Sequence, residues 1–253
     1  MNWKDEPLLS WVNRQVPPWA NNQILHWNDV FPCGDDFDVR EFLIEERRNS
    51  NSTLDMRNVV GQWDHYAGQT WAEALFDPKW KPGKIRHCLD KADENPEYYF
   101  NGDVQDDISF NSIDGISWYS VNSGNHRTII AKFLCEMYYE KTGHYPLVAG
   151  VSTTHYVIDW ELYNLFKQLR KLQDHGIHVS FPPRSMRRTE LFFSVGDYRF
   201  NRDGRCGQLK PNQFKAYAKW VIQNDGALTR WDKFHHLKQV VFGDSRKLIY
   251  PKK

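Results

Sequence analysis

The sequence predicts an α+β fold, a mixed sheet with helices packed on it, and three observations predict it. Across residues 114–134, DGISWYSVNSGNHRTIIAKFL, the apolar pattern changes from β-type to helical within one polar turn. Residues 159–181 give a capped amphipathic helix running into a β-branched strand. Aromatic residues make up 15% of the 253, with eleven tryptophans and fifteen phenylalanines, which is ample apolar surface for a core.

The central stretch begins with Ile116, Trp118, Tyr119 and Val121, β-branched and aromatic residues that predict a strand. A polar turn with one glycine follows, Asn122-Ser123-Gly124-Asn125-His126-Arg127. Then Ile129, Ile130, Phe133, Leu134, Met137 and Tyr138 take helical spacing. Thr128, Lys132, Glu136 and Glu140 fall on the other face, and Gly143 stands where a C-terminal cap belongs. A strand, a glycine turn and a helix start put free backbone N–H groups and the positive end of a helix dipole in one place. Such a place attracts phosphate or carboxylate. His126 and Arg127 add side-chain donors, and the planar fork of arginine suits phosphate.

The same residues resemble the ParB/sulfiredoxin superfamily, whose members carry a Gly-x-[His/Arg]-Arg box at the start of a helix that follows a strand. Here the box reads Gly124-Asn125-His126-Arg127. The resemblance extends upstream through residues 86–100, RHCLDKADENPEYYF, as a short helix, an Asn-Pro break and a strand. Downstream, Tyr145-Pro-Leu-Val-Ala continues it as a strand, so that it covers about residues 83–158. The resemblance implies a ParB/sulfiredoxin-like mixed sheet with phosphates of ATP or a related nucleotide held at Ser123, Gly124, Asn125, His126, Arg127 and Thr128. His126 would carry a proton and Arg127 would stabilise charge on the phosphoryl group. Sulfiredoxins carry a catalytic Cys where Asn125 stands, so the thiolate of sulfinic-acid reduction is missing. The chromosome-partitioning ParB proteins carry Glu-Arg-Arg after the glycine, and two of those three places differ here, so their CTP-gated clamp is not carried over. The remaining branch includes nucleases, nucleotide hydrolases and plasmid-encoded inhibitors of conjugative transfer. It implies hydrolysis of nucleoside triphosphate, DNA or both. The alternative is a non-catalytic module for nucleotide, nucleic acid or a protein of a conjugation apparatus.

Three parts are expected: an aromatic-rich N-terminal extension at 1–82 packed on the core, the core at 83–181, and a basic C-terminal part at 182–253. In the first, Trp3, Trp11, Trp19 and Trp27 recur every eight residues, but nothing between them repeats. Leu8, Leu9, Trp11 and Val12 predict a short helical turn, broken by Pro17-Pro18. Residues 38–47 predict a second helix, 47–53 (RRNSNST) a loop, and 71–76 a third helix. The tryptophans predict core, or a ligand platform where one lines a groove. Asp103, Asp106, Asp107 and Asp114 form a solvated loop in one reading. In the other they hold Mg²⁺ or another divalent cation for phosphoryl chemistry, close in sequence to the box.

The net charge of +1 conceals an asymmetry. Residues 181–253 carry 16 Lys+Arg against 6 Asp+Glu, while residues 1–180 carry 17 against 26. A basic C-terminal part predicts a polyanion partner, with an acidic surface of the same molecule as the alternative. Arg184, Arg187 and Arg188 fall in one short loop. Arg199, Arg202 and Arg205 flank a hairpin centred on Asp203-Gly204, between strand-like residues 190–200 and a helix at 213–223. These six arginines are the candidates for contacting DNA phosphates. A second helix at 228–240 completes a helix–glycine turn–helix pattern. No apolar run approaches the roughly 20 residues of a membrane span, so no membrane insertion is expected. Cys33, Cys88, Cys135 and Cys206 are scattered without a Cys-x-x-Cys pair, and are expected to be reduced thiols in a cytoplasmic protein. Walker, Gly-x-Gly-x-x-Gly and Gly-x-Ser-x-Gly motifs are absent.

Overall fold

Six strands make one mixed sheet: β1 (Leu25–His26), β2 (Leu43–Leu54), β3 (Val59–Gln62), β4 (Ser109–Ser112), β5 (Trp118–Val121) and β6 (Val148–Ile158). Their spatial order is β1-β3-β5-β4-β6-β2. β1, β3 and β5 run parallel, β4 is antiparallel to β5 and parallel to β6, and β2 closes the edge antiparallel to β6. This computed structural model describes residues 3–31, 38–101, 108–121, 124–181, 193–197 and 205–224. The chain divides into two units, Met1–Ile158, which holds this sheet, and Asp159–Lys253. The α+β character expected from the sequence is present. Residues 1–82 do more than pack on the core, for they supply β1, β2 and β3 to the sheet itself.

Among the described residues, five α-helices belong to the first unit: α1 (Leu8–Arg14), α2 (Trp27–Val30), α3 (Trp71–Phe76), α4 (Pro82–Glu94) and α5 (Asn125–Thr142). α5 is the helix expected from the spacing, and Gly143 ends it in the left-handed conformation at φ 76°. Its apolar residues join the main core with Leu8, Trp11, Leu75, Ile85, Leu89, Phe110 and Val151. On its other face Thr128 and Lys132 are buried too, Glu136 is half-buried and Glu140 is exposed. Lys132 is 5% exposed, donates to the carbonyls of Met56 (2.5 Å) and Val59 (2.9 Å), and lies 4.9 Å from the Trp19 ring centroid. Trp19 Nε1 donates to Glu136 (3.2 Å), and Trp11 Nε1 donates to Glu140. Trp11 and Trp19 thus contact Lys132, Glu136 and Glu140 of that face. On the opposite face of the sheet, Tyr119 and Tyr156 pack with Trp27 and Phe31.

Three local expectations are corrected. Residues 43–54 form the long strand β2 where a helix end and a loop were expected. Pairing with β6 overrides the weak local propensity, and salt bridges Arg47–Glu45 and Arg48–Glu46 lie along the strand. Residues 96–100 are a turn instead of a strand, because Asn95 and Glu97 carbonyls accept from the N–H groups of Tyr98 and Phe100. β4 was not expected at all, since Ser-Phe-Asn-Ser has little apolar signal of its own.

The second unit holds α6 (Trp160–Arg170), β7 (Ile177–Ser180), β8 (Phe193–Asp197), β9 (Arg205–Leu209) and α7 (Pro211–Asn224). Asp159 caps α6 through the Leu162 N–H at 3.0 Å, as the sequence predicts. α6 stops at Arg170, and a 3₁₀ turn Gln173–His175 follows in place of a continued helix. The three strands pair antiparallel in the order β7-β8-β9. Phe193 stacks on Phe214 of α7 at 4.1 Å, with Phe166 of α6 at 6.0 Å from Phe193.

Candidate functional site

β3 and β5 are neighbours in parallel, so their carboxyl ends open on one edge of the sheet. Gln62 pairs with Ser120, and Trp63 donates its N–H to the Ser120 carbonyl at 2.9 Å. The chain leaves β3 towards His65 and Tyr66, and α5 starts just beyond β5. Ligands gather at such an edge because strand ends and helix N-termini present free backbone donors there. Gly124 precedes the helix at φ −74°, an ordinary helical value, and no side chain caps the start of α5.

The box residues separate into two groups. Asn125 is 2% exposed and Thr128 is fully buried, and both point at β5. Asn125 Oδ1 accepts from the Ser120 hydroxyl at 2.9 Å, and its carbonyl accepts from Gln62 Nε2 at 3.2 Å. Thr128 Oγ1 lies 3.0 Å from both Ser120 Oγ and the Gly124 carbonyl. These two side chains brace the turn and leave ligand contact to others. His126 and Arg127 turn the other way, towards α4 and the Tyr66 segment. The His126 ring meets Tyr66 edge-on at 5.5 Å, and Arg127 Nη1 donates to the Tyr98 hydroxyl at 3.5 Å. Arg127 is half-buried; Gly124 is buried; Ser123 lies outside the described residues.

No family model, curated protein or solved structure matches the chain. The site is therefore read from its own chemistry. His126 is buried, and burial pulls its pKa down to about 4, helped by the positive charges of Lys84 and Lys81. At neutral pH its imidazole is uncharged. Its Nε2 is buried without a hydrogen-bond partner, as is Oε1 of Gln62. Buried polar atoms ordinarily find a partner, and exceptions mark a place where one arrives from outside or where function is kept. Gln62, Tyr66, Lys81 and Lys84 carry no motif, and their distance in sequence from the box hides them from sequence reasoning.

The other candidates fall elsewhere. Asp114 stands in the turn before β5, at the opposite end of that strand from Gly124. Its Oδ1 accepts from Ser112 Oγ and from the N–H groups of Ile116 and Ser117, at 3.0, 2.8 and 2.7 Å. Those backbone donors hold its carboxyl below the usual range against the effect of burial. At that end of β5, Asp114 is not brought together with the box. Asp103, Asp106 and Asp107 lie outside the described residues; Ser109, just beyond them, pairs with Val121 beside the box. Among the described residues no group of three His, Cys, Asp or Glu is arranged to hold a metal. Arg184, Arg187, Arg188, Arg199 and Arg202 lie outside the described residues, and Arg205 opens β9. Among the described residues no helix is long and apolar enough to cross a membrane.

Proposed function

We propose that the protein binds ATP or a related nucleotide at this sheet edge and hydrolyses nucleoside triphosphate, DNA or both. The observation that carries the reading is the unpartnered Nε2 of buried His126, beside Arg127 at the start of α5, with Lys81 and Lys84 as its charged neighbours. Cations, a helix dipole and a dry neutral imidazole together favour an anionic group bearing hydrogen-bonding oxygens. In hydrolysis, Arg127 and backbone N–H groups stabilise charge on the phosphoryl oxygens. Neutral His126 either donates to such an oxygen or accepts a proton from the attacking water. The resemblance of the box to the ParB/sulfiredoxin superfamily supports this reading, and its plasmid branch suggests inhibition of conjugative transfer as the setting.

Calorimetric titration with ATP tests the assignment. Arg127→Ala should weaken binding by about 1.5–3 kcal/mol, the range of a charge-assisted hydrogen bond. Unchanged affinity in a folded variant removes the nucleotide from this edge. For a proton carrier, His126→Ala should lower turnover about 100-fold beyond any loss of binding. The second reading is a binding module without turnover. It is favoured by the low pKa of His126, about 4, far from the value near 7 that suits general acid–base work. Wild-type protein that binds ATP but turns over neither ATP nor DNA with any divalent cation would select it.

A further inference from the structure

The start of α5 is buried, but the start of α4 is open, and it lies against the same histidine. Lys81, Pro82, Gly83 and Lys84 are all exposed, and a Cβ built on Gly83 would meet nothing within 4 Å. Lys81 precedes the helix at φ 42° and ψ 64°, and no side chain caps the first turn. Pro82 has no N–H and the Lys84 N–H is taken by the Lys81 carbonyl at 2.8 Å, so the turn offers the Gly83 N–H and the two lysine ammonium groups. The turn is tied to the site by three contacts. Tyr66 donates its hydroxyl to the Trp80 carbonyl at 2.9 Å, and its ring is the one that meets His126. His65 stacks on the Trp80 indole at 4.6 Å and 11°. Lys81 Nζ lies 5.0 Å from the centroid of that indole. His126 itself is 7% exposed and its Nε2 has no partner, so a polar atom waits behind the turn. Cys88 of α4 feels the charges of both Lys84 and Arg127.

We propose that residues Lys81–Lys84 form a second anion seat that, with Arg127, takes the polyphosphate chain of a di- or triphosphate. The choice of ligand rests on the nucleotide reading; the seat itself does not. Charge decides between one phosphate and several. Lys81, Lys84 and Arg127 bring three positive charges, and the open start of α4 adds at most roughly half a charge. Asp64, 4.0 Å from His65 Nδ1 with its side chain 75% exposed, offsets about one of these at the rim. The remainder exceeds the charge of about −2 on a single phosphate group and suits a chain of two or three.

The test is calorimetry on the full chain with orthophosphate, pyrophosphate, AMP and ATP. Pyrophosphate should bind at least about tenfold more tightly than orthophosphate, and ATP more tightly than AMP by a similar factor. The double variant Lys81→Asn, Lys84→Gln should lose about tenfold or more for pyrophosphate and ATP. Asparagine is chosen at 81 because it tolerates the left-handed backbone. Lys79→Gln, outside the seat, should change neither. Pyrophosphate that binds no better than orthophosphate, or that ignores the double variant, overturns the seat. ATP binding that depends on Arg127 but not on Lys81 and Lys84 also overturns it and leaves the nucleotide reading intact. Pyrophosphate binding that responds to the variant, without ATP binding, keeps the seat and removes the nucleotide.

Discussion

His126 sets a measurable pH dependence. Its folded pKa is about 4, against an ordinary 6.5. Between those values the unfolded chain binds more protons than the folded one, so stability falls as pH drops through 6.5 and levels off below 4. Urea midpoints of wild type and His126→Phe at pH 7.5 and 4.5 isolate the effect. Wild type should lose roughly 1–3 kcal/mol more than the variant over that span, and equal losses would show that the imidazole is not held neutral by the fold. The His126-Arg127 pair was legible because a strand signal, a glycine and a helix signal frame it. The inward turn of Asn125 and Thr128 was not, since it depends on Ser120 and Gln62 lying beneath them. Lys132 is a similar case. Its place on the polar face gives no sign of burial, yet two carbonyls and the Trp19 ring receive its ammonium, and burial lowers its pKa to about 8.

At the scale of elements, long periodic helices were legible and strands defined by distant partners were not. α5 and α6 announce themselves through apolar spacing and through Gly143 and Asp159 at their ends. β2 reads as polar loop because its identity comes from its register with β6. The parallel join of β1 to β3 depends on one glycine. A Cβ on Gly61 would lie 2.4 Å from the Leu25 carbonyl oxygen and 2.5 Å from Tyr119 Cδ1. The carbonyl belongs to β1 and cannot step aside without moving that strand. Gly61→Ala should therefore destabilise the first unit by about 1–3 kcal/mol in urea denaturation. A wild-type midpoint would mean that β1 is not held against β3 in this way.

Across the whole molecule the charge asymmetry supplies a separate expectation, binding of DNA by the basic C-terminal part through phosphates. Some of its cations have partners: Lys215 meets Asp159 at 2.9 Å and Glu161 at 2.8 Å, and Lys219 meets Glu161 at 2.6 Å. Changing Arg202 and Arg205 together to Ala should flatten the log–log salt dependence of DNA binding by up to two contacts. Each contact is worth about 0.9 on duplex or about 0.7 on single strands. Anisotropy titrations at several salt concentrations read it, and wild type that binds no DNA at low salt ends the expectation. The outer sheet edge has a consequence during synthesis. Ser52 of β2 and Thr153 of β6 share a hydrogen bond at 2.9 Å across 101 positions of sequence. A ribosome adds about 5–20 residues per second, so the nascent β2 strand waits several seconds or longer for its partner. Unpaired strands of that length recruit other chains when they are apolar. The Glu-Glu-Arg-Arg-Asn-Ser-Asn-Ser-Thr run of β2, which conceals the strand from a reader of the sequence, also keeps it soluble until β6 is made.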